Sequence, residues 1–246
     1  MSGNINTASN AKKVLIVAAN PGTSSVTQWP VGFWWSELVH PYWAFAEVGY
    51  EIEIRSPEGG ALQADGYSDP EDESGYSADD ILSLGFKKSP KHRALLDATK
   101  SIDDVDPSNY DAVFLVGGQS PMFTFRGNEK VQGLVRAFYE AGKVTALVCH
   151  ATCVLLEAKL SSGELLVSGK TWTGFANSEE RFADEFVGQK LQPFWIEEEA
   201  RALPNTNFVV DQRFREYAVR DGLLVTGQQQ FSGAAAARLV IEALGR

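Results

Sequence analysis

The 246-residue chain is acidic, with 32 Asp and Glu against 22 Lys and Arg for a net charge of -10, and no basic stripe runs through it. That balance argues against nucleic acid and anionic membranes as partners. Hydrophobic residues make up 44% with no repeat or break in composition, which reads as one domain. Two cysteines, Cys149 and Cys153, argue against a disulfide framework and fit a reducing cytoplasm. Residues 1–11 are polar, lack a signal-peptide core and are expected to fray as a disordered tail. Residues 12–246 are left as the domain, with no apolar run of membrane-spanning length.

VLIVAAN at 14–20 is a near-continuous apolar run, as expected of a parallel strand buried on both faces. After a polar loop, GFWWSELVHPYWAFAEVGY carries helical spacing, with an interruption expected at Pro41 and a stop at Gly49. YEIEIRSP alternates as a second strand. Residues 59–90 form an acidic Gly, Asp, Ser and Tyr-rich excursion with short helical pieces, of the kind that is usually functional or mobile. HRALLDATKSIDDV reads as a helix, YDAVFLVGG as a strand ending in two glycines, and EKVQGLVRAFYEAGK as an amphipathic helix stopped by Gly142. VTALVC is the next strand, and VLLEAKL beyond it has a helical pattern. KTWTGF suggests a short strand, SEERFADEF a helix start, and 192–202 an acidic helix or surface loop. FVVD and YAVRDGLLVTG read as strands, with a turn at Asp221-Gly222, before the closing helix GAAAARLVIEAL. This alternation predicts a three-layer α/β/α sandwich on a mostly parallel sheet.

Cys149 and His150 fall between a strand and a helical pattern with no room for a loop, which is the grammar of a nucleophile elbow. The N–H groups and dipole of the following helix would lower the thiol pKa. His150 is the adjacent candidate proton partner. The N–H groups of Gly117-Gly118, at the same sheet edge, could hold an oxyanion beside the N–H of His150. No metal site is expected, since the three histidines are scattered and cysteine is scarce. GQSPMF lacks the Lys-Ser/Thr of a phosphate loop.

VLIVAAN, GFWWSELVHPYWAFAEVGYEIEIRSPEGG, FLVGGQSPMF, ALVCHAT, GKTWTGF and LLVTGQ occur in that order. Together they resemble the ThiJ/PfpI superfamily, with a fold akin to class I glutamine amidotransferases, over roughly residues 12–245. More narrowly the chain resembles the glutathione-independent glyoxalases (glyoxalase III) and related stress chaperones. The resemblance implies a nucleophile at Cys149, its histidine at His150 and a proton-shuttling glutamate at Glu37. Burial of Glu37 among Phe33, Trp34, Trp35 and Tyr42 would raise its pKa. The acid that orients the histidine falls on Glu180, with Glu179 adjacent as the alternative. Two departures stand out: Gln119 replaces a pocket histidine, and Gln228-Gln229-Gln230-Phe231 replaces Asn-Pro-Ala. With Trp29, Trp34 and Trp172 they suggest a pocket of altered shape. The implied protein is a cofactor-independent, homodimeric enzyme acting on a small-molecule carbonyl, methylglyoxal or larger, to give a 2-hydroxy acid. A cysteine hydrolase or hydratase and a stress chaperone of the same family stay open.

Overall fold

A computed structural model describes residues 11–245; the expected N-terminal tail lies almost wholly outside them. In chain order the elements begin with β1 (Lys13–Val17), β2 (Gly22–Thr23), β3 (Pro30–Val31), α1 (Trp35–Glu47), β4 (Glu51–Ser56) and β5 (Glu58–Gly60). The middle comprises α2 (Ile81–Lys88), α3 (Pro90–Asp97), β6 (Thr99–Ser101), β7 (Ala112–Leu115), α4 (Pro121–Thr124), α5 (Glu129–Glu140) and β8 (Val144–Val148). The chain closes with β9 (Thr171–Trp172), α6 (Asn177–Val187), α7 (Ile196–Ala202), β10 (Asn207–Phe208), β11 (Ala218–Asp221), β12 (Leu224–Gly227) and α8 (Gly233–Ala243).

Eight strands make the central sheet, in the order β11-β12-β8-β7-β1-β4-β6-β5. All pairings are parallel except the two outermost, β11 with β12 and β5 with β6. The apolar runs of β7 and β8 are buried along their whole length, because helices cover both faces. α1 and α8 pack on each other and on one face; α5 packs on β7 and β8 from the other. The expected α/β/α sandwich is therefore the fold. No helix among the described residues is long and apolar enough to cross a membrane.

Four local expectations change. α1 runs through Pro41 as one helix. A proline there has no N–H to offer the carbonyl of Glu37, and its ring instead packs where a Cβ on Gly233, at the start of α8, would approach within 3.2 Å. The helix expected over 92–105 stops at Asp97, and β6 follows. Pairing with β4 and β5 outweighs its helical pattern. FVVD contributes β10, which pairs with β9 outside the main sheet. Finally, the segment after Cys149 is a run of 3₁₀ turns, Cys149–Leu156, not an α-helix. There the Thr152 hydroxyl donates to the Cys149 carbonyl at 2.6 Å, a local bond that competes with regular helix.

The excursion is built into the site's foundations. Phe33 N–H donates to Gln63 O, Asp65 N–H to Phe33 O, and Ser120 N–H to Gly32 O. A Cβ on Gly32 would lie 1.9 Å from the backbone oxygen of Gln63, so only glycine permits this seam. A Cβ on Gly133, inside α5, would meet only the end of the Arg136 side chain, at an ordinary contact of 3.9 Å. Gly32→Ala should therefore destabilise the protein by about 3 kcal/mol, and Gly133→Ala should stabilise it by up to ~1 kcal/mol. Chemical denaturation of the two variants checks the opposite signs.

Candidate active site

Sheet register brings the candidate residues together. Leu115 of β7 pairs with Leu147 of β8, so Gly117 and Cys149 emerge side by side at the C-terminal edge. Ligands of open α/β sheets bind outside this edge. α1, which follows β1, delivers Glu37 to the same point. Cys149 has φ +54°, a left-handed conformation that costs energy for any residue but glycine. This is the strained turn expected of a nucleophile elbow.

Glu37 is fully buried, and its carboxyl lies beside the Cys149 thiol and the Gly117 backbone, with neither oxygen in a hydrogen bond of regular geometry. A Cβ at Gly117 would lie 2.3 Å from Glu37 Oε2 and 2.7 Å from the Cys149 Cβ. Glycine there is what lets the acid and thiol meet. Burial, only partly offset by Cys149, His150 and Gly117, pushes the Glu37 pKa up to about 8. Cys149 is also buried. Burial and the Glu37 carboxylate raise its pKa, against backbone N–H groups of His150 and Gly118 that face the sulfur and favour a thiolate. The expectation of a lowered thiol pKa is thus reversed. Thiol and carboxyl titrate as a coupled pair that holds two protons below about pH 8 and loses the first near there. In the singly protonated pair, thiolate arises when Cys149 passes its proton to Glu37, with no further change in net charge.

Of the expected oxyanion donors, Gly118 N–H and His150 N–H face the sulfur, whereas Gly117 N–H is turned to Glu37. His150 is buried, and neither of its ring hydrogen bonds goes to Cys149. Nδ1 donates to Gly118 O at 3.1 Å, and Nε2 meets Glu180 Oε1 at 3.0 Å. Burial opposes charge on the ring, but Glu180, Glu37 and Asp65 outweigh it and raise the pKa. Glu180 rather than Glu179 therefore meets the histidine. Glu179 accepts from Ala176 N, Gln228 Nε2 and Phe214 N, and so ties down the loops around α6.

Asp65 is a residue the sequence reading passed over. Buried, it accepts from Gly32 N at 2.8 Å and Gln119 N at 2.6 Å. It thereby locks the glycine turn, although burial raises its pKa to about 7. Its only signal in sequence was its place in an overlong acidic excursion. Gln119 does line the cleft, but its side-chain oxygen is held by Gln192 Nε2. Gln228 and Gln229 bind Glu179 and the Arg215 carbonyl, and Gln230 binds Tyr76.

Above Cys149 lies a narrow cleft of about 60 Å³ that opens to solvent. Its walls are Trp34, Tyr67, Tyr76, Phe175, Phe182 and Phe214, with Phe186 half-exposed at the margin. Trp29 lines only the adjoining groove. Trp172 is fully buried, edge-on to Phe208, and donates to Thr206, so it does not shape the cleft as expected. Among the described residues no cluster of three or more His, Cys, Asp or Glu is placed to hold a metal ion.

A strained cysteine at a strand-to-turn elbow, beside a buried carboxyl on the carboxyl edge of a parallel sheet, defines a flavodoxin-like protein with a nucleophile-elbow thiol. The chain belongs to the DJ-1/PfpI family, whose description matches residues 32–243. It is 27% identical over 236 residues to a probable glutathione-independent glyoxalase of Schizosaccharomyces pombe, covering 87% of this chain and 90% of that protein. The crystal structure of glyoxalase III from Candida albicans is 26% identical, with a TM-score of 0.77 over 94% of this chain and 97% of that one. The 24 kDa rapid encystment protein of Francisella tularensis shares the fold, with a TM-score of 0.84 at 24% identity over 96% of this chain and 100% of its own.

Two outcomes test the site. Cys153 is sealed, its Sγ donating to Pro121 O at 3.5 Å, whereas Cys149 lines the cleft. Iodoacetamide should modify Cys149 at least ~10-fold faster than Cys153, by peptide mapping at neutral pH. The second concerns Glu37. Folded Glu37 keeps its proton to about pH 8, and the unfolded chain loses it near 4.5. The folded state thus binds more protons in that window, and this contribution to stability is lost as pH rises through it. Glu37→Gln has no such loss, so its melting temperature relative to wild type should climb between pH 5 and 8.

Proposed function

We propose that the protein is a glutathione-independent glyoxalase that converts an α-oxoaldehyde to a 2-hydroxy acid without a cofactor. The observation that carries this is the buried Glu37–Cys149 pair: a thiol packed against an acid/base group beneath an open, ring-lined cleft. The similarity to proteins named as glutathione-independent glyoxalases over most of their length supports it. In the pair that has lost one proton, Glu37 takes the thiol proton as the Cys149 sulfur adds to the aldehyde carbon. The resulting oxyanion forms within reach of Gly118 N–H and His150 N–H and takes that proton from Glu37 to give a hemithioacetal, which frees the carboxylate. Glu37 then removes the hydrogen from that carbon and returns it to the neighbouring one through an enediol, leaving a thioester. Water cleaves the thioester and frees the acid and the thiol.

His150, held by Glu180 and the Gly118 carbonyl, orients its own backbone N–H toward the sulfur. Its role here is positional, since its ring nitrogens are committed elsewhere. The free thiols Cys149 and Cys153 suit a reducing, cytoplasmic setting, and the family resemblance supports a homodimer.

Seven aromatic rings around a site that needs only a thiol, an acid and two donors favour a substrate with an apolar arm. Phenylglyoxal is therefore expected to show a higher kcat/KM than methylglyoxal. Cys149→Ala should abolish turnover, and Glu37→Gln should lower kcat by about 10²-fold or more. Steady-state assays on both aldehydes check these outcomes. If a reactive Cys149 turns over neither, the same thiol is serving an amide or isonitrile hydrolase or hydratase.

A further inference from the structure

Tyr76 comes from the acidic excursion and ends up over the catalytic thiol. Its ring is held by three others: Trp34 at 6.1 Å, Tyr67 at 6.3 Å and Phe186 at 5.7 Å between centroids. Gln230 Nε2 donates to its hydroxyl oxygen at 3.1 Å. That bond uses a lone pair and leaves the hydroxyl hydrogen for another acceptor. The ring lines the same cleft as Glu37 and Cys149. Burial raises its pKa, and the nearby Cys149 and Glu179 charges add to this. The phenol is accordingly a neutral donor, close enough to sense charge at the thiol.

An α-oxoaldehyde presents two oxygens. The backbone N–H groups of Gly118 and His150 face the sulfur and serve the oxygen on the attacked carbon. The second oxygen needs a donor of its own, since charge grows on it as the enediol forms. Among the other donors of the cleft, Gln119 is anchored through its oxygen to Gln192 and Gln230 spends an amide hydrogen on Tyr76, whereas the Tyr76 hydroxyl is held in place by three rings and that bond with its own hydrogen to give. We infer that Tyr76 is a further catalytic residue, whose O–H donates to the ketone oxygen of a 1,2-dicarbonyl held on Cys149 and stabilises the enediolate. This rests on the glyoxalase reading and names what selects dicarbonyls over simple aldehydes.

The step balances without another reactant. Glu37 takes the hydrogen of the hemithioacetal carbon as a proton, and the C–H electron pair becomes the C=C bond. The ketone π pair moves to its oxygen, where the Tyr76 hydrogen bond meets it. Glu37 returns its proton to the second carbon while the hydroxyl proton of the first carbon passes to the second oxygen, which discharges the enediolate and leaves the thioester with its 2-hydroxyl. Tyr76 keeps its own proton throughout, so its effect is stabilisation of developing charge rather than proton transfer.

The test is Tyr76→Phe, which keeps the ring and removes the hydroxyl. With methylglyoxal and phenylglyoxal, kcat should fall about 10²-fold, the usual cost of losing one oxyanion donor, while KM stays within about threefold. With methylglyoxal deuterated at the aldehyde carbon, the isotope effect on kcat should become larger than in wild type, because carbon deprotonation becomes slower relative to other steps. The rate of Cys149 alkylation by iodoacetamide should not change. A kcat within about threefold of wild type overturns the assignment. So does an equal fall in the alkylation rate, which would mean that the variant disturbs the thiol itself. A wild-type protein inactive on both aldehydes removes the glyoxalase reading and this proposal together; active wild type with an unaffected variant removes the Tyr76 role alone.

Discussion

The packing of a carboxyl against a thiol in a buried pocket is the constraint on which the site depends. Two acidic groups this close cannot both ionise away from water. Burial keeps Glu37 neutral to about pH 8, and burial together with the Glu37 charge keeps Cys149 protonated, so only the pair that has lost one proton can pass the other from sulfur to carboxyl. The contact exists only because Gly117 carries no side chain. It is positioned by three parallel strands in register, β1, β7 and β8, whose ends supply α1, the glycine turn and the elbow. The left-handed backbone of Cys149 is part of the same arrangement: it turns the sulfur toward Glu37 and the facing N–H groups.

The surroundings are organised to hold that geometry. Asp65 accepts N–H groups from both sides of the glycine turn, so a loop remote in sequence fixes the donors that face the sulfur. A carboxylate with two backbone N–H partners is a strong clamp, although burial offsets part of the gain. Glu180 and the Gly118 carbonyl together occupy both nitrogens of His150 and prevent the ring from turning toward Cys149. The histidine beside the nucleophile in sequence is therefore not the thiol's hydrogen-bond partner in space. Adjacent side chains at a sharp turn diverge, and here they serve different neighbours.

The acidic excursion is the least regular part of the chain and the part closest to a ligand. Tyr67 and Tyr76 project from it to meet Phe186 of α6, while Lys87 of its own helix α2 pairs with Asp69 and Glu71 and closes the excursion on itself. This is how a polar loop comes to present an aromatic wall. Its carboxylates are neutralised or solvated at the back, and its rings close over the thiol. Membership of the DJ-1/PfpI family accounts for the sheet and the elbow; these rings are the features of the cleft that bear on what it can admit.

The order of elements, the buried parallel strands and the elbow at Cys149 were legible in sequence. Apolar runs of strand length alternating with amphipathic segments allow few other packings, and a Cys-His pair between strand and helical pattern marks the turn. Resemblance placed Glu37 and narrowed the histidine's acid to Glu179 or Glu180. Tertiary structure decided between them, because neighbours on a helix point about 100° apart and only one can face His150. It also decided the sign of the thiol's pKa shift, which depends on burial and the distance to Glu37. No local pattern announced Asp65, Tyr67 or Tyr76, since their partners lie far along the chain. Trp172 looked like a pocket residue by its motif, yet the β9–β10 pairing buries it against Phe208. Local chemistry dictated which residues could react, and the register of three strands and one long loop dictated which of them meet.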